Sequence, residues 1–255
     1  MTHEKYQCNF TENKIAHRFM YDKDSRKLKS DKIIRVLAEQ FDSFENKTAL
    51  EASCSAGYMS VYFGSHFPIL DAIDIDEEAI KNARAKNSKK NITYHKMDAL
   101  NMSFEDSSYD IVICNQMYEH VPDANRLMDE IYRVLKPGGI CFFGATNRHK
   151  VMETHYGRIP FLSWLPKPLA HRYLRLLGKG DFYYETLLSY RKLKTLTKKF
   201  DCIDYTEEII RSPAKYCATD VVRPGSTVQK LSIVFLKFFY FLSPGYIWLL
   251  QKPKN

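Results

Sequence analysis

Four stretches of the chain carry side chains whose types and order suit a nucleoside ligand and proton chemistry beside it. The first is Leu50-Glu51-Ala52-Ser53-Cys54-Ser55-Ala56-Gly57. Its small residues, between an apolar run and a helical one, let a ligand lie against the backbone near a helix N-terminus. The second is Asp74 in Ala72-Ile73-Asp74-Ile75-Asp76, roughly 20 residues further on, where a carboxylate can accept both hydroxyls of a ribose. Asp76 is the better candidate for capping the helix that follows. Third comes Lys96-Met97-Asp98-Ala99, whose carboxylate can meet the exocyclic amine of an adenine. The fourth is Asn115-Gln116-Met117-Tyr118-Glu119-His120. Here His120, with an ordinary pKa of about 6.5, can take a proton from a substrate hydroxyl.

These residues need a frame, and the patterning supplies one. Short apolar runs at 47–52, 69–75, 92–97, 110–115 and 140–145 read as strands, and 58–67, 76–87 and 125–135 between them read as helices. The run Asp-Ile-Val-Ile-Cys-Asn at 110–115 is continuously apolar inside its ends, as expected for a strand covered on both faces. Strand and helix alternate, so the fold class is α/β with a parallel sheet and helices on both sides. Each chemistry-bearing stretch then falls at a strand's carboxyl end, the crevice where open α/β sheets bind ligands.

Together these residues resemble the class I S-adenosylmethionine-dependent methyltransferases, in particular the small-molecule branch that includes the ubiquinone-biosynthesis methyltransferases. The resemblance is close over about 45–148 and looser over 189–210. It implies a Rossmann-like, seven-stranded, mostly parallel sheet with a helical lid insertion, S-adenosylmethionine as cofactor, and methyl transfer to a small molecule. Glu51 takes the family's acidic position facing the methionine part of the cofactor, and Gly57 takes the last glycine of the loop. Ser53 and Ser55 stand where two further glycines are usual. Asp74 with Ile75 matches the ribose site, Asp98 with Ala99 the adenine contact, and Asn115 the mouth of the fourth strand. Leu135-Lys136-Pro137-Gly138-Gly139 matches the turn before the fifth strand. The run from Gln116 to Asp123 looks like the segment in which two glutamates and a histidine of the relatives are associated with a divalent metal. Here Gln116 replaces the first glutamate with a poorer ligand for a hard cation, so no metal is expected.

The implied organisation is an N-terminal helical cap (1–45), a cofactor-binding core (46–148), a helical lid (149–188) and a C-terminal part (189–255) that completes the sheet and carries an apolar helix. The lid holds His149, Lys150, His155, Tyr156, Arg158, Trp164, His171, Arg172 and Arg175. Such aromatic and basic side chains suit an anionic or lipid-linked acceptor. Residues 1–148 carry 20 Lys+Arg against 22 Asp+Glu, whereas 149–255 carry 18 against 8. That asymmetry points to an anionic partner for the C-terminal part. The apolar window 231–250 is broken by Lys237 and Ser243-Pro244-Gly245 and is too short to span a bilayer. It reads as a helix over 231–242, capable of peripheral contact with an anionic membrane, followed at 246–250 by the seventh strand, which the resemblance implies runs antiparallel at the sheet edge.

Six scattered cysteines without a CxxC pair indicate reduced thiols rather than a zinc site or disulfide framework. The N-terminus lacks the apolar core of a secretory signal, so a cytoplasmic location is expected. Two alternatives stay open: a non-catalytic methyltransferase-like binding protein that keeps the fold but has lost the cofactor, prompted by Ser53 and Ser55, and an RNA methyltransferase. Against the second, the fourth strand ends in Asn-Gln-Met-Tyr rather than Asn-Pro-Pro-Tyr, and no RNA-binding module is recognisable.

Overall fold

The computed structural model describes residues 22–87 and 89–254. Seven strands form one sheet: β1 (Thr48–Glu51), β2 (Ile69–Asp74), β3 (Ile92–Lys96), β4 (Tyr109–Asn115), β5 (Leu135–Thr146), β8 (Asp201–Asp204) and β9 (Gly245–Gln251). Two short strands, β6 (Met152–Glu153) and β7 (Ile159–Pro160), pair separately. The large sheet has the order β3-β2-β1-β4-β5-β9-β8. Pairings among the first five are parallel, and β9 is antiparallel to both its neighbours. The seventh strand is therefore antiparallel as expected but does not lie at the edge. It inserts between β5 and β8, where its run Tyr246-Ile247-Trp248-Leu249-Leu250 is covered on both faces, and β8, with exposed Asp201 and Asp204, takes the edge.

Side-chain alternation divides the core into two layers. Leu50, Ile73, Val112, Cys114, Phe143 and Trp248 face α4 (Ala124–Val134) and α6 (Tyr190–Leu196). Ala49, Leu70, Ala72, Ile111, Ile113, Phe142 and Leu249 face α1 (Lys23–Leu37), α2 (Tyr58–Phe63), α3 (Glu77–Lys86) and α7 (Thr206–Arg211). Successive strand residues point to opposite faces, so a continuously apolar strand must be covered twice. Asp76 caps α3, its Oδ1 accepting from the backbone N–H groups of Glu78 and Ala79 at 3.0 and 3.2 Å.

Several expected boundaries move. The N-terminal cap is observed as α1, and the part of it before residue 22 lies outside the described residues. The Leu135–Gly139 run keeps its turn as a bulge inside β5, with Gly138 left-handed (φ 79°) and 136–139 looped out between the Leu135–Tyr109 and Ile140–Ile111 pairs. It is the first part of β5, with Leu135 already paired to Tyr109 and a register shift before Ile111. Strand β8 ends at Asp204, whose Oδ1 accepts from the Thr206 N–H and turns the chain into α7. The lid is not uniformly helical. It combines the β6–β7 pair, a 3₁₀ turn at Leu162–Trp164 and α5 (Lys167–Leu176). Cys54, Cys114, Cys141, Cys202 and Cys217 are free thiols.

Candidate active site

The loop after β1 and the end of β2 form one unit. Ser55 adopts a left-handed backbone (φ 50°), and its N–H donates to Asp74 Oδ2 at 2.7 Å. The second oxygen, Oδ1, accepts from the Asp76 N–H at 3.0 Å. Each carboxylate oxygen keeps a lone pair for a further donor. Burial raises the Asp74 pKa, and the Asp76 and Ser55 N–H bonds offset part of that rise. The hydroxyl oxygen of Ser55 is buried without a hydrogen-bond partner, whereas Ser53 is exposed. Gly57 is also left-handed (φ 76°), and a Cβ there would lie 2.8 Å from Ala83 Cβ and 2.9 Å from the Tyr94 hydroxyl. The glycine thus serves the close approach of α2 to α3 and β3.

Glu51, at the end of β1, is fully buried, and its Oε2 accepts from the Ser60 hydroxyl at 2.6 Å. Burial pushes its pKa up to about 8, against the opposing effects of Ser60 and the Arg26 guanidinium. Arg26 comes from α1, and nothing in the sequence singled it out; only packing of α1 against α2 brings it to Glu51. Ile75 is half-buried beside Asp74. On the next strand end Asp98 Oδ1 accepts from the Leu100 N–H at 2.8 Å, next to buried Ala99. Asn115 closes β4, packed against Gly144 so tightly that a Cβ on that glycine would collide with Asn115 Oδ1. Glu51, Ser53, Gly57, Asp74, Ile75, Asp98, Ala99 and Asn115 thus all stand at the carboxyl edge of the sheet.

Beyond Asn115 the lid folds over the 3₁₀ turn Tyr118–His120. Glu119 is buried; its Oε1 accepts from the Thr146 hydroxyl at 2.9 Å, and its Oε2 has no partner. Burial raises its pKa to about 7. His120 lies edge-on to His155, with ring centroids 5.3 Å apart. Burial, with His155 and Lys150, lowers the His120 pKa to about 3, so its ring is neutral and weakly basic. His155 differs. Its Nδ1 is held by Glu153 Oε1 at 2.7 Å, and Glu153 also pairs with Lys150 at 2.7 Å and accepts from the Tyr183 hydroxyl at 2.8 Å. Burial alone would lower His155, but Glu153 and Glu185 outweigh it and raise its pKa.

Donor atoms of Glu119, His120 and His155 lie within 4.8 Å of one another, a set that could hold a cation. Gln116, where the first glutamate would stand, is exposed and outside that group. The lid histidine that completes it could not be paired with Glu119 from sequence distance.

Residues 50–143 match the methyltransferase domain family. Those residues carry a methyltransferase domain. The chain is 33% identical over 114 residues to the ubiquinone biosynthesis O-methyltransferase of Hydrogenovibrio crunogenus, covering 44% of this chain and 47% of that protein. With the enzyme of the same name from Coxiella burnetii it shares 31% over 147 residues, 56% of this chain and 62% of the other. The matched region thus spans about half to three-fifths of these relatives. The fold also matches solved structures. The S-adenosylmethionine-dependent methyltransferase from Mesorhizobium loti superposes with a TM-score of 0.57 at 15% identity, over 85% of this chain and 95% of that one. The [4+2]-cyclase SpnF superposes at 0.53 and 16% identity, over 88% and 81%. The cyclase shows that this fold does not by itself fix a reaction.

Proposed function

We propose that this chain transfers a methyl group from S-adenosylmethionine to a hydroxyl of a small, anionic or lipid-linked acceptor bound beneath the lid. The observation that carries the reading is the Ser55–Asp74 closure beside buried Glu51: a shaped loop with a hydroxyl-accepting carboxylate at one end and a buried carboxyl, with the Arg26 guanidinium acting on it, at the other. The residues fit the cofactor. Glu51 suits its ammonium and Arg26 its carboxylate, Asp74 its ribose hydroxyls, and Asp98 with Ala99 its adenine. Buried Ser55 Oγ, without a partner in the protein, offers a further contact. When bound, the cofactor supplies a sulfonium methyl whose positive leaving group is already activated.

The protein's part is then to align the acceptor oxygen in line with that methyl and to exclude water, worth up to about 7–11 kcal/mol. A hydroxyl must also lose its proton. His155 is better suited to receive it than His120, because Glu153 fixes the His155 tautomer through Nδ1 and raises its basicity, leaving Nε2 as the acceptor in the neutral ring. His120, next to it, remains neutral and can donate or accept a hydrogen bond to the same oxygen.

The test is calorimetric titration of S-adenosylmethionine and S-adenosylhomocysteine into the wild type and Asp74→Ala. Micromolar binding that weakens by roughly 10–100-fold in the variant, the loss expected for charge-assisted hydrogen bonds, supports the reading and justifies an acceptor screen over isoprenoid and lipid fractions. Absence of binding at millimolar ligand would leave a binding module without this cofactor.

A further inference from the structure

A helix outside the site presents an unusual surface. Helix α8 (Thr227–Phe239) is held to the body by one narrow stripe. Gln229 Nε2 donates to the carbonyls of Ile210 and Arg211 at 2.9 and 3.0 Å, and Leu236 is buried two turns further on. On the outward side Val228, Leu231, Val234, Phe235 and Phe238 recur at helical spacing, and all are exposed, Leu231 to 64% and Phe238 to 65%. Solvent-facing helix surfaces are ordinarily polar, so a continuous apolar stripe there marks an interaction surface.

Charge selects the partner. Lys230 and Lys237 flank the apolar stripe, neither forms an ion pair among the described residues, and the helix contains no acid. Residues 212–255 carry six Lys and Arg against one acid, Asp220. The 13-residue helix is about 20 Å long at roughly 1.5 Å per residue, shorter than the hydrocarbon core of a bilayer. Among the described residues no helix is long and apolar enough to cross a membrane. An apolar face flanked by lysines is the arrangement of a helix lying in the plane of an anionic interface.

The helix is also tied to the ligand-binding edge of the sheet. Just after it, the carbonyls of Phe241 and Ser243 accept from Asn147 Nδ2 at 2.9 and 2.7 Å, and Asn147 directly follows the carboxyl end of β5. Tyr240 packs on Tyr190 and Tyr246, each with a centroid separation of 5.4 Å. We propose that the outward face of α8 docks the protein on anionic lipid bilayers, with Leu231, Phe235 and Phe238 inserted and Lys230 and Lys237 at the headgroups. This proposal does not depend on the methyl-transfer reading.

Vesicle co-sedimentation of the full chain tests it, comparing phosphatidylcholine alone with phosphatidylcholine containing about one-third phosphatidylglycerol. The wild type is expected to bind the anionic vesicles at least about tenfold more tightly, and less so as salt rises. The double variant Leu231→Glu/Phe238→Glu should lose that binding. Lys230→Glu/Lys237→Glu should weaken it by about tenfold or more. S-adenosylhomocysteine affinity and melting temperature report whether each variant is folded. Absence of wild-type binding, or equal binding by the wild type and Leu231→Glu/Phe238→Glu, overturns the proposal. A dimer in sedimentation velocity that Leu231→Glu/Phe238→Glu dissociates would also overturn it, assigning the face to a second copy of the chain.

Discussion

The backbone N–H of Ser55 donates to the carboxylate of Asp74 at 2.7 Å, so the loop after β1 is latched to the end of β2 before any ligand arrives. The latch holds Ser55 in a left-handed conformation that costs an L-residue about 1–2 kcal/mol. Replacing Ser55 with glycine keeps the N–H and removes the strain together with the unpartnered hydroxyl. Ser55→Gly should therefore leave the protein as stable or up to about 1 kcal/mol more stable, because glycine's greater unfolded-state entropy takes back part of the gain. Thermal melting measures this, and a fall of several degrees would show that the hydroxyl supports the loop.

Under the proposed function, Glu51 makes cofactor binding a proton-linked event. Its pKa of about 8 in the free protein leaves it mostly protonated at pH 7, whereas a bound ammonium favours the ionised form. Binding of S-adenosylhomocysteine at pH 7 should release close to one proton, read as a dependence of the calorimetric enthalpy on buffer ionisation. Glu51→Gln should abolish that dependence. A buffer-independent enthalpy in the wild type would place the ligand ammonium elsewhere.

The same raised pKa lowers stability with rising pH. A carboxyl whose folded value exceeds its unfolded value binds more protons in the folded state, so stability is lost between about pH 4.5 and 8. Glu51→Gln removes this term and should raise stability at pH 8 by roughly 1–3 kcal/mol while leaving it nearly unchanged at pH 4. Denaturant titrations at the two pH values provide the comparison; a variant less stable at both would mean that the Ser60 contact outweighs burial.

Gly144→Ala tests the mouth of β4. The added Cβ collides with Asn115 Oδ1, so Asn115 must move or the β4–β5 pairing must open. Destabilisation of about 1–3 kcal/mol is expected, together with weaker cofactor binding. Retained affinity in a destabilised protein would remove Asn115 from the cofactor contacts.

Glu153 organises the lid. Burial alone would raise its pKa, but His155 and Lys150 hold it at about 2. Its contribution to stability is therefore present above about pH 4.5 and lost only as the pH falls through 2. The raised His155 gives the opposite window: its contribution is fully present below about pH 6.5 and lost as the pH rises through its folded value. Glu153→Ala strands buried Lys150 and should cost about 3–5 kcal/mol. Hydrogen exchange of 149–188 should show lost protection in the variant and, in the wild type, a decline on the alkaline side; unchanged protection in both would remove Glu153 from the lid's support.

Much of this protein was written in local pattern. Apolar runs alternating with helical stretches sufficed for five parallel strands in the right places, since a strand covered on both faces has no other way to look. Asp76 as a helix cap and Asp74 at a strand end followed from residue type and position, and the antiparallel final strand from the family resemblance. What only tertiary structure decided depends on contacts between segments distant in sequence. The insertion of β9 between β5 and β8 is a choice among sheet edges that the apolar pattern of 246–250 leaves equal. Leu135 joined β5 because Tyr109 was available to pair with it, while the local turn signal of Pro137-Gly138 survives as a bulge with Gly138 at φ 79°. Arg26 beside Glu51, and His155 with Glu153 beside Glu119 and His120, bring together charges across tens of residues. Their pKa shifts arise from burial and pairing that no single segment possesses until the lid has closed on the sheet.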